Sequence, residues 1–455
     1  RWTLPCYGNP RVSAPSLDHL ARHGAVMQQA FTPCPVCSPA RASFWTGTIP
    51  SRHGIHDYIE EGNVGADHPG VRGQTTLAQL LHAQGYRVGL TGKWHLNHFQ
   101  TPAPGFDTWF TCALGTNARF GPQPHYEGSE LQEHWFGHQA PIVTARALRF
   151  LQEVRQDQPF LLVVGYTDTH TPHRGAPARL VEMYADHDFA EVPWDEETEA
   201  HGLVRFNFTR DPQRRRAELA DYYAAVTMID QQVGTVLDAL ESLRLRDNTL
   251  VVYTSDHGHM NGHLGLHTKG NATVPQNLLD ESIRVPCVLH WPGRIQAGVR
   301  PDLPVDHCDL FATLLDAAGL DAAEHTQRLQ GPGRSYLPAL GGQPLADWRT
   351  AQFCEYGNAR MIRTASSKLI VRYPGPNGHF PDEYYDLAHD PRETSNVVND
   401  PRYAVTIAAL RSQLEAYFAR YEDPSRRGAD ITQQPVCNRA QPWSMSPEQA
   451  RKGRV

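Results

Sequence analysis

Residues 140 to 153 carry a helical apolar pattern that leads into the run Pro159-Phe-Leu-Leu-Val-Val-Gly-Tyr166. The same layout returns between Arg214 and Leu243, where Leu219, Tyr222, Tyr223, Val226, Ile229, Val233, Val236 and Leu240 fall along one helix face, and Thr249-Leu-Val-Val-Tyr253 follows. Near-continuous apolar runs of this length suit strands buried on both faces, the situation found where helices cover a parallel sheet. A third unit, Gln74 to Gln84 with leucines at 77, 80 and 81 and then Gly85 to Thr91, also reads helix then strand. The alternation restricts the chain to an α/β fold with a large, mostly parallel sheet flanked by helices. In such sheets ligands collect beyond the carboxyl ends of the strands. Four polar clusters stand in or near those positions: Gly92-Lys-Trp-His95, Thr167-Asp-Thr-His170, Ser255-Asp-His-Gly258, and the later Lys269.

A short amphipathic helix is expected from Ser16 to Gly24. Beyond about residue 345 the alternation gives way to extended pieces at Met361 to Thr364 and Lys368 to Tyr373, then a last helix from about Tyr403 to Tyr421. The chain divides accordingly into a large domain over 1–345, a smaller C-terminal α+β domain over 346–425 and a surface tail over 426–455, whose Pro- and Arg-rich sequence lacks periodicity.

A chain of 455 residues can bury a large core, and no apolar run reaches the roughly 20 residues of a membrane span. The net charge of -7 argues against a broad nucleic-acid surface and leaves room for a local cationic pocket. Eight cysteines at scattered positions do not make a dense disulfide framework, so periplasmic, secreted and cytoplasmic settings all stay open. The chain opens on Arg1 rather than methionine, from which an upstream processed or trimmed segment is expected.

The most informative stretch chemically is Cys37-Ser-Pro-Ala-Arg41, which continues to Thr46-Gly47. Pro39 fits the first turn of a helix, Ser38 is a competent cap and Gly47 can end the helix. Cys37 then sits at a helix mouth, where free N–H groups favour an anion, and Arg41, one turn on, can reach back toward the same point. Two plainer readings compete. Cys34-Pro-Val-Cys37 has the C-x-x-C spacing of redox dithiols and half a zinc site, although no second C-x-x-C exists. A buried structural thiol at a helix start is the other.

The pattern C-x-P-x-R followed by T-G resembles the signature of type I sulfatases, members of the alkaline phosphatase-like superfamily. Further segments are similar in the family's order: Leu4 to Pro10, Thr48 to Gly54, Thr91 to His95, Thr169 to Pro172, Thr254 to Gly258, Gly270 to Pro286 and Tyr384 to Thr394. The resemblance implies a sulfuric ester hydrolase in which Cys37 is oxidised to formylglycine by a formylglycine-generating enzyme. One hydroxyl of the hydrated aldehyde would attack sulfur and the other would expel sulfate. It also implies that Arg41, Lys93 and His95 stabilise the diol and sulfate, that His170 faces the leaving oxygen, and that Lys269 bridges sulfate and leaving oxygen. His173 shares the His170 segment, and His170 is the better match. An unperturbed histidine pKa would suit protonation of a departing alcohol.

Relatives hold a divalent cation, usually calcium, against the formylglycine. Here that implies Cys37, Asp256 and His257 as ligands, with His257 alternatively binding sulfate, since imidazole suits calcium less well than oxygen does. The histidines at 257, 259, 263 and 267 also admit zinc or copper, but third and fourth ligands are not evident, and the loop reads mainly as rich in proton donors. The family carries paired aspartates on a strand before the segment matching Leu4 to Pro10; the expected upstream segment would supply them and complete the metal site. A sulfated carbohydrate is the expected substrate class, and Tyr58, Glu60, Glu61, His125 and Tyr126 lie in loops that could touch it. The alternatives are a phosphonate or phosphate ester hydrolase of the same superfamily and a catalytically silent binding homologue.

Overall fold

In the computed structural model, residues 1–60, 64–112, 120–192 and 202–445 are described. The helix-then-strand units form where the sequence places them. The Gln139–Glu153 helix precedes the Phe160–Gly165 strand, and the long Pro212–Ser242 helix, capped by Asp211, precedes Val251–Thr254. The Leu77–His82 helix starts at a capping box between Thr76 and Gln79 and leads to Arg87–Gly92. Arg87–Gly92 pairs in parallel with both Thr108–Cys112 and Phe160–Gly165, and two short antiparallel strands extend that sheet to five. A second sheet has the order Ala25–Val26, Cys287–His290, Val251–Thr254.

Two expectations are corrected. The runs at 160–165 and 251–254 are half-buried rather than buried on both faces. Each is the edge of its sheet, and both line one cavity of about 1860 Å³ that Cys37 also lines. The other concerns the stretch expected as a surface tail over 426–455. As far as Met445, its Ile431, Cys437 and Trp443 are buried, and Trp443 packs edge-on to Tyr356. The Glu60 N–H donates to the Cys437 carbonyl and the Asn438 side-chain amide to the Tyr58 carbonyl, so polar ties and apolar anchors substitute for periodicity.

Residues 352 to 386 form a four-stranded antiparallel sheet on which the Ala404–Tyr421 helix packs through Leu410, Leu414 and Phe418. No helix among the described residues is long and apolar enough to cross a membrane.

Candidate active site

The site forms where the Cys37–Thr46 helix meets the carboxyl ends of the Arg87–Gly92 and Phe160–Gly165 strands and the loop after Val251–Thr254. Cys37 is the first helical residue and is 1% exposed. The cap is extended Val36, not Ser38, whose hydroxyl instead accepts from the Ile59 N–H at 2.9 Å. Gly47 ends the helix in the left-handed region at φ 68°, and a side chain there would strike the Phe311 ring. Gly92, at φ 103°, lies so close to the Gly165 carbonyl that only glycine lets the chain turn Lys93 into the site.

Two nitrogen groups meet Cys37 Sγ. Lys269 Nζ donates to it at 3.1 Å, and His257 Nε2 lies 3.3 Å away. Lys269 Nζ also lies 3.0 Å from His170 Nε2, whose Nδ1 meets the Thr171 carbonyl at 2.7 Å. Burial pushes the Cys37 thiol up, but Lys269, Lys93 and His257 outweigh it and leave its pKa well below the ordinary value. Its neighbour in the C-x-x-C spacing behaves oppositely: burial drives Cys34 well above the ordinary value. No disulfide joins Cys34 to Cys37.

Arg41 does not point at the sulfur. Its Nε donates to Asp256 Oδ2 at 2.9 Å and its Nη1 to the Lys93 carbonyl at 2.8 Å, so it fixes the two groups that flank Cys37. Burial alone would raise the Asp256 carboxyl, but His257 and Arg41 hold it well below the carboxylate range. Lys93 is buried, and burial brings its ammonium down to about 8. His95, at φ 60°, lines the same cavity with Nε2 at 3.2 Å from the Ile59 carbonyl. Thr268, β-branched and at φ 73°, is a strained position beside Lys269.

An ordinary histidine pKa at 170 is corrected. Burial and then Lys269 bring His170 down to about 3, so it is neutral near pH 7 and its Nε2 accepts from the lysine. The Gly258 carbonyl, 2.7 Å from His257 Nδ1, accepts from it, which in the neutral ring is the tautomer whose Nε2 faces Cys37. That tautomer suits a metal ligand better than a sulfate donor. The ligand atoms of Cys37, Asp256 and His257 lie within 4.8 Å of one another, close enough to share one divalent cation.

Among the loop residues, Tyr58 and Glu60 line the cavity. His125 is buried against Phe110 and Tyr126 packs on Phe99, neither of them in the lining, and Glu61 lies outside the described residues. Sequence reasoning missed Arg205 and Asn271, which also line the cavity. Arg205 is held by the Ala440 carbonyl and lies over the Phe206 ring, a placement with no local motif to betray it.

A buried residue at a helix mouth, with lysines close to it beyond the carboxyl ends of strands, defines the class of proteins that bind a small anionic group there. The comparisons with known proteins narrow this class. Residues 1–320 match the Sulfatase family model, and residues 276–420 match that of N-sulphoglucosamine sulphohydrolase, C-terminal. The chain belongs to the sulfatase family and is a sulfuric ester hydrolase of alkaline phosphatase-like fold. It is 27% identical over 444 residues to the ulvan-active sulfatase of Formosa agariphila, covering 91% of this chain and 78% of that one. It is 28% identical over 476 residues to human N-sulphoglucosamine sulphohydrolase, covering 92% and 88%. A solved structure in complex with its substrate D-glucosamine-2-N,6-O-disulfate has the same fold, with a TM-score of 0.78 at 23% identity over 92% of this chain and 95% of that one.

Proposed function

We propose that Cys37 is converted to formylglycine by a formylglycine-generating enzyme, and that its hydrate cleaves the sulfate ester of a sulfated saccharide. The observation that carries this reading is the convergence of Lys269, His257 and Lys93 on one buried residue at a helix mouth. In the reaction the cysteine sulfur is replaced by the two hydroxyls of the diol, so Sγ marks where the nucleophile stands. One hydroxyl attacks sulfur and loses its proton, and the ester S–O bond breaks toward the sugar oxygen. The departing alcohol takes a proton from Lys269, whose charge the neutral His170 helps to share through their 3.0 Å contact. Deprotonation of the second hydroxyl then expels sulfate and restores the aldehyde, which water hydrates again.

Lys93 and His95 stand where the equatorial sulfate oxygens gather charge, and Arg41 holds Lys93 and Asp256 in place. Asp256, His257 and the modified residue 37 would hold a divalent cation, calcium by family habit; it would polarise the sulfate and favour the ionised diol. Three donors fall short of calcium's six to eight, so sulfate oxygens, water and further carboxylates must complete the shell.

The saccharide reading rests on the two relatives whose names specify sulfated carbohydrates. Sulfate release from an aryl sulfate, set against turnover of the matching aryl phosphonate, tests the reaction class. A higher kcat/KM on the sulfate is expected, and a strong phosphonate preference would overturn the assignment. Release from desulfation-sensitive saccharides, followed by ion chromatography, tests the substrate class.

A further inference from the structure

The histidines of the 257–267 loop do not act together. His257 joins Cys37, while His259 and His267 turn to meet His173 from the segment after His170. One ring nitrogen from each of these three lies within 4.8 Å of the other two. Their ring centroids stand 5.1, 5.7 and 5.4 Å apart, with the planes crossed at 66 to 81°. A zinc ion lies about 2 Å from an imidazole nitrogen, hence about 3.2 Å from the ring centre, and tetrahedral angles then place the three centroids about 5.2 Å apart. The observed centroid triangle is close to that arrangement, and small ring shifts would bring nitrogens already within 4.8 Å of one another to a common ion.

We propose that His173, His259 and His267 form a second metal site, distinct from the Cys37 centre, that takes a first-row transition ion of the zinc type. Three imidazoles and no carboxylate are a poor set for calcium and a good one for zinc, cobalt or copper. An ordinary core histidine satisfies its ring with a carbonyl or hydroxyl, yet the buried Nε2 atoms of His259 and His267 have no hydrogen-bond partner among the described residues. Aromatic walls hold the rings: Tyr222 stacks on His259 and meets His173 edge-on, and Phe208 meets His267 edge-on.

His259 and His267 also line the cavity that holds Cys37, which gives the ion an entry path and leaves its fourth position for water or a substrate oxygen. The ion would tie the segment carrying His170 to the loop carrying Lys269, and so set the leaving-group pair. The site does not depend on conversion of Cys37.

The test is cobalt(II) titration of the full chain carrying Cys37→Ser, which removes the competing thiolate, in excess calcium. One equivalent with the intense visible bands of a four-coordinate ion is expected. His173→Gln and His267→Gln, each added separately, should abolish those bands with circular dichroism unchanged, whereas Asp256→Asn should keep them. Zinc should raise the melting temperature of the parent and not of the His173 variant. Equal spectra in the parent and either histidine variant, bands lost only with Asp256→Asn, or no tight binding at all would overturn the site. Sulfate release by the unsubstituted protein tests the Cys37 reading, and its failure there leaves the cobalt result standing.

Discussion

Around Asp280, buried charges close on one another; around Cys37, they close on one residue at the wall of a cavity. Lys368 Nζ meets Asp280 Oδ1 at 2.7 Å and also pairs with Glu393, Arg363 reaches Asp280 Oδ2 at 2.8 Å, and the Glu393 carboxylate accepts from the Asp280 N–H at 2.6 Å. Every charge there has a fixed opposite, and the set joins residues 280 to 284 to the C-terminal sheet. At Cys37 the carboxylate that acts on Lys93 is Asp256, and Arg41 already occupies it. The excess positive charge and the open cavity mark the second set as a binding site and the first as a fastening.

Substitutions separate the two. Cys37→Ala should lower sulfate release by about four orders of magnitude or more while thermal melting stays near the parent value, since only the nucleophile is lost. A collapsed fold in that variant would instead support a structural thiol. Lys368→Met should cost about 3–5 kcal/mol in denaturant unfolding, because Asp280 and Glu393 are left buried and short of a cation, while turnover per folded molecule is kept. Lys269→Ala should lower kcat by roughly 10²–10³, with most of the loss recovered on substrates whose leaving group is a nitrophenol, which needs no proton.

The smallest effect concerns Asp57, which is buried beside neither cluster and bonded to the Tyr356 hydroxyl at 2.8 Å. Burial raises it to about 7. The folded state therefore keeps a proton that the unfolded chain loses near pH 4, and stability falls as pH rises through about 4 to 7. Asp57→Asn should be the more stable form at pH 8 by on the order of 2 kcal/mol and match the parent at pH 4, as urea titrations at the two values would show.

The chain's own pattern made much of this legible. Helix and strand order followed from apolar periodicity, and the pentad at Cys37 pointed to the candidate site because helix-mouth chemistry is local. What stayed hidden was non-local. The half-burial of Phe160–Gly165 depends on what lies beside the strand, and the packing of Trp443 depends on Tyr356 far away in the sequence. His170 looked like an acid until Lys269 was seen 3.0 Å from it, and the histidine loop lacked a third ligand until His173 arrived from nearly 90 residues upstream. Proximity of this kind has no local signature.

The most direct measurement is peptide mass spectrometry across Cys37, run on protein produced beside a formylglycine-generating enzyme and compared with sulfate turnover of the same batches. An aldehyde in place of the thiol, trapped by a hydrazide reagent, is expected, with turnover proportional to the converted fraction. Full turnover by protein in which residue 37 remains entirely a thiol would contradict the account.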